Sequence, residues 1–224
     1  MRKYFFPCAV ALIFVFSGCN KKSASNQTKK VEESTVEVQK IPVDTTAYNN
    51  KIESLANGDT TGRWPRENQP YPLAGAILPF KRIVAYYGNL YSKKMGVLGE
   101  YPPKELWRKL NLEVKAWEKA DPSTPVQPCI HYIAVVASGF PLKDGKYRTR
   151  MPARQIDSAL TIARMGKAIV FLDVQVALSD VKTEIPLLEK YLKMPHVHLA
   201  IDPEFSMKDG SHPGKKSGLW MQLT

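Results

Sequence analysis

The sequence predicts an α/β fold, an incomplete parallel β/α barrel-like domain of four βα units preceded by a signal peptide and a disordered linker. Three observations carry this reading. From Arg63 onward, short runs rich in Ile and Val alternate with longer segments of helical period. The runs are apolar nearly throughout, as in strands covered on both faces. Pro103 and Pro152 stand where the intervening helices begin, a position at which the missing N–H costs nothing. Strand, helix, strand, helix in that order argues for a parallel sheet with crossover helices.

Residues 82–88 read as the first strand, after a connector at 64–72 too rich in proline for a helix or a central strand. Pro103 opens a helix with Leu106, Leu110, Val114 and Trp117 on one face. The second strand lies within 126–137. Pro152 opens the second helix, with Ile156, Leu160 and Ala163 on its face and Gly166 at its C-terminus. Residues 168–173 form the third strand. Val181, Ile185, Leu188 and Leu192 form a third helical stripe, whose Pro186 is expected in its first turn, and 196–202 form the fourth strand.

Two architectures fit this order, an open doubly wound sheet and a β/α barrel. No glycine-rich phosphate loop follows the first strand, so a nucleotide-binding open sheet has no support. A complete barrel takes about 250 residues, far more than lie between Lys81 and Thr224. The tail at 210–220 shows no helical stripe, so the domain at 63–224 is expected to be truncated, the N-terminal half of a barrel.

The N-terminus is read separately. Arg2 and Lys3 precede an apolar run, 4–16, that closes on Phe16-Ser17-Gly18-Cys19, the basic, apolar and small-residue parts of a secretory signal. The closing tetrapeptide resembles a bacterial lipoprotein lipobox, departing from it at Phe16. That resemblance implies a signal peptide at 1–18 and lipidation at Cys19. The alternatives are an ordinary thiol after a conventional signal and a transmembrane anchor; the run is shorter than the ~20 residues that span a bilayer, and Pro7 interrupts it. The expected address is the bacterial cell envelope, outside the cytoplasm, with the membrane as partner through the N-terminal lipid.

Residues 19–62 hold mostly Lys, Ser, Asn, Gln, Thr and Glu, a composition that buries too little apolar surface to order, and are expected to form a flexible tether. Lys and Arg number 32 against 21 Asp and Glu, a formal charge of +11, and the excess falls mainly in the domain. Anionic envelope polymers suit that balance. Nucleic acid is not an expected partner, since no aromatic-basic binding motif is present. Cys129, inside an apolar stretch, reads as a small buried hydrophobe, and no zinc spacing occurs.

In β/α barrels, functional groups project from the C-terminal ends of the strands. Asp173 ends the third strand with Gln175 two residues on, and Asp202 and Glu204 end the fourth. Glu100 follows the first strand in a glycine-flanked loop, and Tyr86 and Tyr87 are expected near the same mouth as substrate-binding rings. Acids crowded at strand ends raise one another's proton affinity, the condition for one carboxyl to stay protonated while another ionises. Each acid singly also reads as a turn or solvated residue. A metal set of His198, Asp202 and His212 is conceivable from residue types, but no metal and no cofactor is expected.

Residues 82–88, 95–100, 171–175 and 200–205 resemble a family of uncharacterised bacterial secreted and lipoprotein barrels, over roughly residues 81–214. The family is similar in outline to β/α-barrel glycosidases of the lysozyme and chitinase type, which also end a strand with Asp-x-Glu. The resemblance implies a barrel and a glycan as partner, and Asp173, Asp202, Glu204 and Glu100 as catalytic candidates. The alternative expectation is a non-catalytic glycan-binding lipoprotein or an inactive fragment.

Overall fold

The computed structural model describes residues 43–61 and 69–218. The expected signal peptide, the expected lipidation site Cys19 and the first part of the linker lie outside the described residues. The fold is mixed α/β. Four parallel strands, β1 (Arg82–Gly88), β2 (Val126–Ala137), β4 (Ile169–Val174) and β5 (Val197–Ile201), lie in the order β1-β2-β4-β5, and a short β3 (Arg148–Arg150) pairs antiparallel with the end of β2. The parallel order advances in one direction without reversal.

Helices α2 (Pro103–Ala120) and α3 (Ala153–Arg164) pack on one face of this sheet. Side chains alternate along a strand. Ile130, Tyr132 and Ala134 of β2 and Val170, Leu172 and Val174 of β4 therefore turn together into one core with Leu106, Leu110, Ile156 and Leu160 of the helices. The opposite parity, Tyr87, His131, Phe171 and His198 among it, turns to the other face.

Trp107 locks the two helices together. Its indole Nε1–H donates to the Ile162 carbonyl of α3 at 2.6 Å, and its ring lies where a Cβ on Gly166 would be. Gly166 thus follows α3 as expected, because the Trp107 ring leaves no room for a side chain. Gly166→Ala is expected to lower stability by about 1–3 kcal/mol through overpacking, read as a lower urea midpoint at unchanged slope.

The structure departs from expectation in three places. Part of the linker is helical: α1 (Thr45–Ala56) starts where the Asp44 carboxylate accepts from Ala47 N–H at 2.9 Å and stops at Asn57 in the left-handed conformation (φ 48°). Tyr48 meets the rings of Tyr71 and Phe80 edge to face, Lys51 donates to Thr124 Oγ1 at 3.0 Å, and Ile52 is buried. These anchors supply what the polar composition lacks.

The third helical stripe is not one helix. It breaks into α4 (Val181–Glu184), a 3-10 turn (Ile185–Leu188) and α5 (Glu189–Leu192). Pro186 removes an N–H and bars the α-helical ladder at that point.

The third departure is β3 itself, which no apolar run announces. It is held by charge. The carboxylate of Glu184, fully buried, accepts from Arg148 Nε at 2.6 Å, Arg150 Nε at 2.7 Å and Ser179 Oγ at 2.6 Å. Arg148 also donates to Asp144 at 2.7 Å. Burial alone would raise the Glu184 carboxyl, but the hydrogen bonds from Arg150, Ser179 and Arg148 outweigh it and hold the group below its ordinary range.

Candidate functional site

The sheet face opposite the helices is built in layers, each contributed by residues two apart on successive strands. One layer is Ala85, Cys129 and Ile169. Cys129 is fully buried there, and burial pushes its thiol up to about 12, so it is a packing residue as expected. Above it stand four rings in register, one from each parallel strand: Tyr87, His131, Phe171 and His198. Successive ring centroids lie 4.9, 5.4 and 5.8 Å apart, each pair edge to face. Such pairs stabilise by about 0.5–1.5 kcal/mol beyond their buried area.

The next layer places Asp173 between Ile133 and Ala200. Its carboxylate is nearly inaccessible, at 2% residue exposure. Oδ2 lies 3.5 Å from His131 Nε2, and Oδ1 has no hydrogen-bond partner among the described residues. A buried carboxylate oxygen without a donor is costly, by about 1–3 kcal/mol or more.

Gln175 and Asp202 form the uppermost layer. The backbone N–H of Ala137 donates to Gln175 Oε1 at 2.9 Å, which fixes the orientation of the amide. Its Nε2 then donates to the Tyr87 hydroxyl oxygen at 3.0 Å and to Asp202 Oδ2 at 3.2 Å. Burial raises the Asp202 carboxyl above its ordinary value; the Gln175 hydrogen bond opposes this, and the charges of Asp173 and Glu204 add to the rise. Burial first, then Asp173 and Asp202, drive the Tyr87 phenol up, so it stays protonated. Glu204 is exposed in the 3-10 turn Pro203–Phe205, where its carbonyl accepts from Gly218 N–H, and it bears on the site through its charge.

Gln175→Glu would replace the shared donor by a carboxylate facing Asp202. A loss of about 1–3 kcal/mol at neutral pH is expected, the cost of a buried group left without its hydrogen bond, and partial recovery in acid, where the new carboxyl takes a proton. Urea unfolding at two pH values measures both.

The structure therefore brings together Asp173, Asp202, Glu204, Gln175 and Tyr87. It does not bring Tyr86 or Glu100 to them. Tyr86 is adjacent to Tyr87 and must face the other way; it packs beside the helix-side core, where burial and then Glu113 of α2 raise its phenol. The loop after β1 folds back tightly, with Gly96 so close to the Tyr87 carbonyl that a Cβ would overlap it. Glu100 emerges beside Tyr101, which accompanies the helix-side core, and hydrogen-bonds to it.

The sequence does not single out His131. Its signal was its place level with Tyr87 and Phe171, visible only once the register is known. His212 stacks on the Tyr147 ring at 4.2 Å, and among the described residues no three metal-ligating side chains converge. No helix among the described residues is long and apolar enough to cross a membrane. Comparison with protein-family models, curated proteins and solved structures finds no match for this chain.

Proposed function

We propose that the domain is a glycosidase-like β/α hydrolase module, one half of a barrel, carried on a lipid-anchored lipoprotein of the bacterial envelope. The address rests on the lipobox-like Phe16-Ser17-Gly18-Cys19. The barrel reading is supported by four parallel strands that advance one way with their helices on one face, as in the (β/α)8 barrel. The observation that carries the chemistry is the buried, half-unpartnered carboxylate of Asp173 beside Asp202, whose carboxyl is raised.

The roles follow from these environments. Asp202 holds its proton more tightly than an ordinary carboxyl and donates it to the glycosidic oxygen as the C–O bond breaks. Asp173, the second carboxyl of the pair, either attacks the anomeric carbon or takes a proton from the water that does. Gln175 and the Tyr87 hydroxyl position the acid. The ring row, with Tyr87 37% exposed, offers apolar surface to a sugar face. The likeness to lysozyme- and chitinase-type glycosidases at Asp202-Pro203-Glu204 agrees with this assignment.

That same aromatic row favours a second reading, a non-catalytic glycan-binding module. Incubating the full chain with a panel of envelope and environmental glycans separates the two. Release of new reducing ends, abolished in the Asp173→Asn/Asp202→Asn double variant while its folding is retained, supports the hydrolase. Saturable binding with no new reducing ends supports the binding module instead.

A further inference from the structure

At the opposite end of β1 from the acids, α1, the segment 78–83 and the segment 121–124 enclose a second cavity of about 550 Å³. Its size falls in the range of about 300–1,000 Å³ typical of small-molecule sites. The walls are apolar: Ile52, Leu55, Leu78, Pro79 and Ile83 line it, and Leu55 and Leu78 remain more than half exposed. Exposed leucines lining a concavity leave apolar surface in water that an apolar guest would cover.

Three cations share this lining, Lys51, Lys81 and Arg82, against one carboxylate, Asp121. Asp121 is already engaged. It accepts from Arg82 Nη2 at 3.1 Å and from the Ser123 hydroxyl at 2.6 Å. Arg82 Nη1 is buried with no hydrogen-bond partner among the described residues, and the guanidinium lies over the Trp117 ring, 4.9 Å from its centroid. The Arg82 side chain as a whole is 31% exposed, and a guanidinium with a free N–H donor favours an anionic group brought beside it.

We propose that this cavity is a binding site for a single-chain amphiphile with a carboxylate head, a fatty acid. The alkyl chain lies against Leu55, Leu78 and Ile83, and the carboxylate meets Lys81 and Arg82. Charge selects the headgroup: the excess of cations over free carboxylates rejects a cationic amphiphile of equal chain length. The site is distinct from the strand-end carboxylates and stands whether or not those catalyse hydrolysis.

Isothermal titration of the full chain carrying Cys19→Ser with dodecanoate, below its micellar concentration, tests this. Saturable one-to-one binding is expected, with dodecyltrimethylammonium at least about tenfold weaker. Lys81→Gln, which removes one cation, and Leu55→Asp, which puts a charge on the exposed apolar wall, should each weaken dodecanoate about tenfold or more. Both positions are at the surface, so circular dichroism is expected to be unchanged. Absence of saturable dodecanoate binding, equal binding of the cationic amphiphile, or full affinity in both variants, which would place the binding elsewhere such as the apolar run 4–16, overturns the proposal.

Discussion

Asp202→Asn is expected to lower glycan turnover by about 10²–10⁴-fold, the usual contribution of a general acid, and to raise the melting temperature at neutral pH. The two effects have one cause. A carboxyl raised in the folded state contributes stability below its ordinary titration range and loses that contribution as pH rises through its folded value. Above its raised folded value the ionised Asp202 sits in a partly buried site beside Asp173 and Glu204 and opposes folding. Asparagine removes the charge and keeps an oxygen able to accept from Gln175 Nε2. Reducing-end assays and thermal unfolding of the same preparations measure both changes. A melting temperature that falls would mean that Asp202 is a structural hydrogen-bond partner rather than a strained functional acid.

Glu184→Leu is expected to have the largest effect on stability, about 3–5 kcal/mol, because it leaves the buried Arg148 without its main counter-ion. Asp144, half exposed, is the remaining partner of Arg148. The loss should fall first on β3 and on the loop that carries Ser179, which are tied together through this one carboxylate. The pH dependence has the opposite sign to that of Asp202. A carboxyl held below its ordinary value contributes stability above that value and loses it as pH falls through its depressed folded value. Acid unfolding of the unsubstituted chain should therefore steepen below about pH 4.5, near the ordinary glutamate value, and Glu184→Leu should lack that component. Replacing Arg148 by methionine together with Glu184→Leu should recover most of the stability, since a well-packed apolar pair avoids the desolvation of two buried charges. Urea midpoints across pH measure each of these.

Much of the sheet was legible because parallel strands are apolar on both faces and prolines mark the helix starts. The acids were legible for a related reason: a carboxylate such as Asp173 at the end of an apolar run stands out from its neighbours. The facing of Tyr86 was legible in principle, since it differs in parity from Tyr87. What decided against Glu100 is the folding-back of 96–100, a glycine contact between backbone atoms that composition does not display. Glu184 was hidden because a single acid in an amphipathic stripe normally faces water, and its partners lie 34 and 36 positions away. Helix α1 was hidden because its support comes from Tyr71, Phe80 and Thr124, outside the polar segment that holds it. The ring row of Tyr87, His131, Phe171 and His198 is a property of register, and register belongs to the assembled sheet.

The central claim is that Asp202 acts as the proton donor beside Asp173 at the strand ends. The pH profile of glycan hydrolysis by the full chain tests it most directly. The account expects turnover that falls on the alkaline side as pH rises through the elevated Asp202 value. The alkaline limb should disappear in Asp202→Asn along with most of the rate. Turnover that keeps the alkaline limb after Asp202→Asn, or no turnover at any pH on any glycan, would contradict it.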